Sequence, residues 1–246
     1  MKRNITVNCF LLAFSAALFR IDAATADSSS PQKILFIGDS FTSSQGGIDQ
    51  RLLLLAKSTP QNLTIAADRV VVPGATLKRL WELGDAVRAI DTDSYDTVVV
   101  QDDIPEINLS YFRQYVRMFV EEIRQHHARP IVYMTWAYER LNWISMDEIA
   151  EAHSALAREI GIDVAPAGVA WAEAKKERPD LELFASDLEH PSPSGMYLAT
   201  CVMYVTIFRK DPSGSSYVPE GVSDAQARFL QRIAWQTAGS GWSYQH

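Results

Sequence analysis

The chain has 246 residues, 47% of them hydrophobic, and a formal net charge of −7. That length suits one domain, and that apolar share is enough for a full core. The acidic balance argues against nucleic acid or anionic lipid as a partner, and no apolar run outside the N-terminus reaches the length of a membrane span.

Residues 1–26 read as a secretory signal. Lys2 and Arg3 supply the charged start, residues 9–19 an apolar stretch too short to span a bilayer, and Ala24-Thr25-Ala26 a small-residue cleavage pattern. A membrane anchor or a buried first helix is the alternative. Residues 27–32, "DSSSPQ", are expected to be a short flexible leader, and residues 33–246 the folded domain. Removing the signal takes the formal charge to −9 and leaves Cys201 as the sole cysteine. Neither an intrachain disulfide nor a cysteine-based zinc site is then possible. An exported location, periplasmic or extracellular, follows as an expectation.

Apolar, β-branched runs then alternate with amphipathic stretches. Strands are predicted at residues 33–37, 62–67, 96–101, 131–135 and 163–166. Helices are predicted at 48–57, 76–83, 85–90, 110–127, 146–160, 169–177, 193–209 and 223–238. The run "TVVV" is apolar without alternation, as a strand covered on both faces should be. Strand and helix in alternation imply one three-layer α/β domain around a parallel sheet. Ligands of such sheets bind beyond the carboxyl ends of the strands.

Ser40 lies just past the first predicted strand, after Gly38, which permits a sharp exit turn. Gly-Asp-Ser also makes an ordinary turn or N-cap, so the position alone decides little. A serine nucleophile needs a base. Of the five histidines, His126 and His127 end a helix, where they complement its dipole, and His246 is terminal. His153 is expected on a surface face of its helix. His190 differs: it lies in "SDLEHPSPSG", with Asp187 three residues before it and Ser192-Pro193 behind it as an N-cap and first helical residue. A carboxylate there can hold the imidazole Nδ1 proton and leave Nε2 to serve a serine. Taken separately, Asp187 can equally be a turn-forming side chain.

Together, "FIGDSFT" near the start and "DLEHPSPSG" near the end resemble the SGNH, or GDSL-like, hydrolases, with "HPSPSGMYLATCVMY" similar to a bacterial branch of that superfamily. The resemblance implies a flavodoxin-like three-layer fold and ester hydrolysis without metal or organic cofactor. It implies Ser40 as nucleophile, His190 as general base and Asp187 as its orienting partner. The Ser40 N–H and the Gly74 N–H in "VVVPGATL" would be oxyanion donors; Pro-Gly is otherwise a common turn pair.

The third block departs from the family pattern. The usual Gly-x-Asn-Asp is replaced by "VVVQDDIPEIN", where Gln101 is the nearest amide and the expected third donor, with Asn108 further along. Asp102 and Asp103 are expected either to meet substrate hydroxyls or to cap the following helix. Asp39 and Trp136 are the expected substrate contacts, Trp136 as part of an aromatic wall with Tyr138 and Trp143, against the alternative of loop packing. The implied partner is a small-molecule or glycan ester, with a carbohydrate O-acetyl ester foremost. A lipase, a thioesterase or a non-catalytic glycan-binding module are the alternatives.

Overall fold

The computed structural model describes residues 31–103 and 108–242. The signal assigned to residues 1–26 lies outside them. Of the leader expected at residues 27–32, residues 27–30 also lie outside them, and Gln32 belongs to the first strand.

Five strands form one sheet: β1 (Gln32–Gly38), β2 (Ile65–Val71), β3 (Thr97–Gln101), β4 (Arg129–Met134) and β5 (Asp163–Pro166). All pairings are parallel, in the order β2-β1-β3-β4-β5. Nine α-helices are described: α1 (Ser40–Ser43), α2 (Ile48–Ser58), α3 (Leu77–Leu83), α4 (Asp85–Thr92), α5 (Leu109–Gln125), α6 (Met146–Ile160), α7 (Ala167–Glu177), α8 (Pro193–Phe208) and α9 (Asp224–Ala238). Among the described residues no helix is long and apolar enough to cross a membrane.

Alternate strand residues feed two apolar layers, as the period of two requires. Ile34, Phe36, Val99, Ile131 and Tyr133 pack with α2, α7, α8 and α9. Leu35, Ile37, Val98, Val100 and Val132 pack with α3, α4, α5 and α6. Every residue of β3 is buried, in keeping with its unbroken apolar run. Helix α8 is buried from Ser194 to Ile207. Its last carbonyls are met by Arg129, which donates to Ile207 O and Thr206 O at 2.9 and 3.0 Å.

Strand β2 runs four residues past its predicted end. Asp68 and Arg69 interrupt its apolar pattern, but β2 is an edge strand, so their side chains face outward at no cost. His153 is the clearest correction. It is buried, not on a surface face, with its ring 4.8 Å from Phe112 and Nδ1–H donating to Ile149 O at 2.8 Å. Burial pushes its pKa down to about 4, against the opposing pull of that hydrogen bond.

The strand order reverses between β1 and β3, which leaves a crevice beyond their carboxyl ends. Gly38 closes β1 there and Gln101 closes β3.

Candidate active site

Past Gly38 the chain turns at once into α1. Asp39 caps it: its Oδ1 accepts from the Phe41 N–H at 2.8 Å, and its carbonyl accepts from Thr42 and Ser43 at 3.2 Å. Ser40 is therefore the first helical residue, and its N–H has no acceptor within the helix. A Cβ on Gly38 would lie 2.4 Å from both Gln101 Oε1 and Thr42 Oγ1. The turn needs glycine because a side chain from the neighbouring strand fills the space.

Across 150 residues, the loop before α8 brings His190 to this turn. His190 Nε2 lies 2.9 Å from Ser40 Oγ, and His190 Nδ1 lies 2.8 Å from Asp187 Oδ2. The other oxygen of Asp187 accepts from the N–H groups of Glu189 and His190 at 3.0 and 2.9 Å. Desolvation works upward on Asp187, but the His190 and Glu189 N–H groups and the imidazole outweigh it and hold its pKa below the ordinary carboxylate value. One carboxylate thus shapes the loop and orients the ring. Imidazole and hydroxyl sit in the crevice, half-buried.

The loop is held from several sides. Phe41 stacks on the His190 ring at 5.2 Å and 19°. Trp136 Nε1–H donates to Glu189 O at 2.9 Å, and the Glu139 N–H donates to Leu188 O at 3.0 Å. Arg140 pairs with Glu189. Ser192 caps α8 by accepting from the Gly195 N–H at 3.1 Å, with Pro193 in the first turn, as the sequence predicts.

Two expected substrate contacts are corrected by burial. Asp39 is 1% exposed and Trp136 is 1% exposed. Asp39 is spent on the cap of α1. Trp136 stacks on Trp171 at 3.9 Å and meets Phe41 edge-on at 5.7 Å, so it props the histidine loop from below. Tyr138 is also buried, donating to Asp103 and stacking on Phe41; Trp143 is exposed.

Gln101 is fully buried. Its Oε1 accepts from the Asp39 N–H at 3.0 Å and from Thr42 Oγ1 at 2.9 Å. A backbone N–H only donates, so the carboxamide orientation is fixed; Nε2 is buried and has no hydrogen-bond partner among the described residues. In this geometry the Gln101 carbonyl oxygen holds the turn that carries Ser40, so the donor role expected of its amide would fall to the buried Nε2. Gln101 follows Val99 on the same face of β3 and lies opposite Tyr133 on β4.

Gly74 occupies the turn after β2, with φ +68° and the Ala75 N–H bonded to Val72 O at 3.0 Å. The Val72 N–H donates to Gly38 O at 3.2 Å, so this turn sits beside the start of α1. Asp102 meets the start of α3, whose N-cap is Thr76, and not the helix that follows it: it accepts from the Leu77 N–H at 3.0 Å. Asn108 caps α5 by accepting from the Ser110 N–H at 2.8 Å.

Three carboxylates, Asp39, Asp102 and Asp103, crowd the base of the site. Loss of hydration drives Asp39 up to about 7; the Phe41 N–H opposes this, and the charges of Asp103 and Asp102 reinforce it. Asp102 is raised to about 6, chiefly by burial. An unfolded Asp titrates near ~4. Between that pH and about 7, folded Asp39 binds more proton than the unfolded chain, so its contribution to stability falls as pH rises. Asp39→Asn keeps an oxygen for Phe41 and removes the charge. Its stability gain over the parent is expected to be absent at pH 4, to grow by roughly 1 kcal/mol per pH unit, and to level off above about pH 7. Urea midpoints at pH 4, 5.5 and 8 measure this, and a gain independent of pH contradicts it.

No protein-family model matches the sequence, and neither does any curated protein. Solved structures do share its fold. A DUF4886 family protein from Bacteroides uniformis superposes with a TM-score of 0.70 at 20% identity, over 85% of this chain and 95% of its own. A proposed SGNH hydrolase from Slackia heliotrinireducens gives 0.60 at 25% identity, over 72% and 100%. A variant of an acetyl-xylooligosaccharide esterase from Geobacillus gives 0.59 at 20% identity, over 73% and 95%.

Proposed function

We propose that this chain, which has the fold of the SGNH/GDSL-like hydrolases, is an exported serine esterase that works through an acyl-Ser40 intermediate. The hydrogen-bonded series Asp187–His190–Ser40 at the switch point of the sheet carries the reading. Chemistry assigns each group a step. His190 Nε2 takes the hydroxyl proton as Ser40 Oγ attacks the ester carbon, and the carbonyl electron pair moves onto oxygen. The N–H groups of Ser40 and Gly74 hold that oxyanion; each such donor is typically worth about 10²–10³ in rate. The tetrahedral species collapses, the C–O bond to the alcohol breaks, and His190 returns its proton to the leaving oxygen. Water then attacks the acyl-serine with His190 again as base, releasing the acid. Asp187 keeps its proton-accepting face on Nδ1 throughout, so Nε2 begins each cycle unprotonated.

Within this class we favour an O-acetylated carbohydrate as substrate. The acidic surface suits a neutral glycan, the N-terminal segment reads as an export signal, and one protein of the same fold is named an acetyl-xylooligosaccharide esterase. Hydrolysis of p-nitrophenyl acetate, butyrate and octanoate tests the proposal. Turnover of acetate, falling with acyl length, is the expected result. A folded protein that leaves all three intact overturns the esterase reading, and a preference for octanoate overturns the acetyl reading.

A further inference from the structure

The stretch "SQGG" after α1 has no part in the mechanism above, yet its backbone is unusual. Gln45 has φ 54° and ψ 32°, the left-handed region that side-chain-bearing residues seldom occupy. Gly46 and Gly47 follow with φ +88° and +95°. Arg51 Nε donates to Gln45 O at 2.7 Å, and Arg69 Nη1 donates to Gly46 O at 3.1 Å. Arg69 is in turn fixed by the buried Asp49 at 2.7 Å. A Cβ on Gly47 would come within 1.7 Å of the Arg69 guanidinium. Two arginines therefore lock this turn, although Gln45 itself is solvent-exposed and buries nothing that would explain its identity. Glycine or asparagine would fill such a position with less strain.

What glutamine adds is reach. Its Nε2 donates to Pro191 O at 3.1 Å, across 146 residues, and Pro191 is the residue after His190. Its backbone lies five residues after Ser40. We propose that Gln45 is a positioning residue, a strut that sets the spacing between the nucleophile turn and the histidine loop. The inference rests on the reading of Ser40, His190 and Asp187 as the catalytic group. Neither loop belongs to a strand, so sheet register does not fix their separation. A misplacement of about 1 Å between reacting groups can cost about 10²-fold in rate.

Gln45→Gly tests this with effects of opposite sign. Glycine tolerates the left-handed φ, so Tm should be unchanged or higher, while kcat for p-nitrophenyl acetate should fall by about tenfold or more with KM within about twofold. Gln45→Glu keeps the length but cannot donate when ionised, and should lose kcat as Gly does. Wild-type kcat in both variants overturns the proposal, as does a loss confined to KM, which would make Gln45 a substrate contact. The ¹⁵N shift of the His190 imidazole in the same variants gives a reading that needs no turnover. It should move as the Ser40–His190 hydrogen bond weakens, and an unmoved signal contradicts the strut even if the wild type hydrolyses no ester. Inactivity of the wild type with a shifted imidazole signal would sink the esterase reading alone.

Discussion

Ser40→Ala is expected to lower kcat for p-nitrophenyl acetate by about 10⁴-fold or more, while leaving the fold intact. The size follows from the chemistry: without Oγ no acyl-enzyme forms, and only binding and the backbone donors remain. The preserved fold follows from the contacts. Ser40 is half-buried, and the hydroxyl is replaced in a place water can reach; its hydrogen bond with His190 Nε2 is worth about 1 kcal/mol at most. Thermal denaturation beside steady-state kinetics measures both. A variant that keeps a tenth of the activity rules out Ser40 as nucleophile.

Asp187→Asn should cost about 10³–10⁴-fold in kcat, again in a folded protein. The asparagine oxygen can still accept from the Glu189 and His190 N–H groups, so the loop persists. Its NH₂ group then faces His190 Nδ1, which must become an acceptor. The ring proton moves to Nε2, and the nitrogen facing Ser40 can no longer take a proton. Kinetics with intact-loop evidence from a crystal structure would check this. A loss below tenfold would show that His190 holds its tautomer without the carboxylate.

Much of the scaffold was legible because its signals are local. Met146–Ile160 and Asp163–Pro166 fall where spacing and the Gly161 cap put them. The Ser192-Pro193 start of α8 is as local, and it places His190 one turn of chain ahead. Burial of single residues at the site was harder to read, since it depends on partners distant in sequence. Asp39 looks like a polar residue at a sheet edge, yet Gln101, Thr42 and Asp103 enclose it. Trp136 looks like a surface aromatic, yet Trp171 and the Glu189 carbonyl claim its face and its N–H. Gln101 stands outside a Gly-x-Asn-Asp context, so its expected donor role rests on its being the nearest amide and on the resemblance; that its carbonyl holds the Ser40 turn depends on Asp39 and Thr42, about sixty residues away. His153 was readable in principle, because Ile149, His153 and Leu156 share a helical stripe that the structure buries. Gln45 had no local signal beyond two glycines, which fit any turn.

The most direct test of the account is covalent. A fluorophosphonate reacts with a serine only where a base removes its proton and donors receive the developing charge, whatever ester the protein evolved to cleave. The account predicts one adduct by intact mass, mapped to Ser40, absent in Ser40→Ala and strongly slowed in His190→Ala. A folded wild-type protein that takes up no label, or takes it on another residue, would contradict the claim that Ser40 is an activated nucleophile.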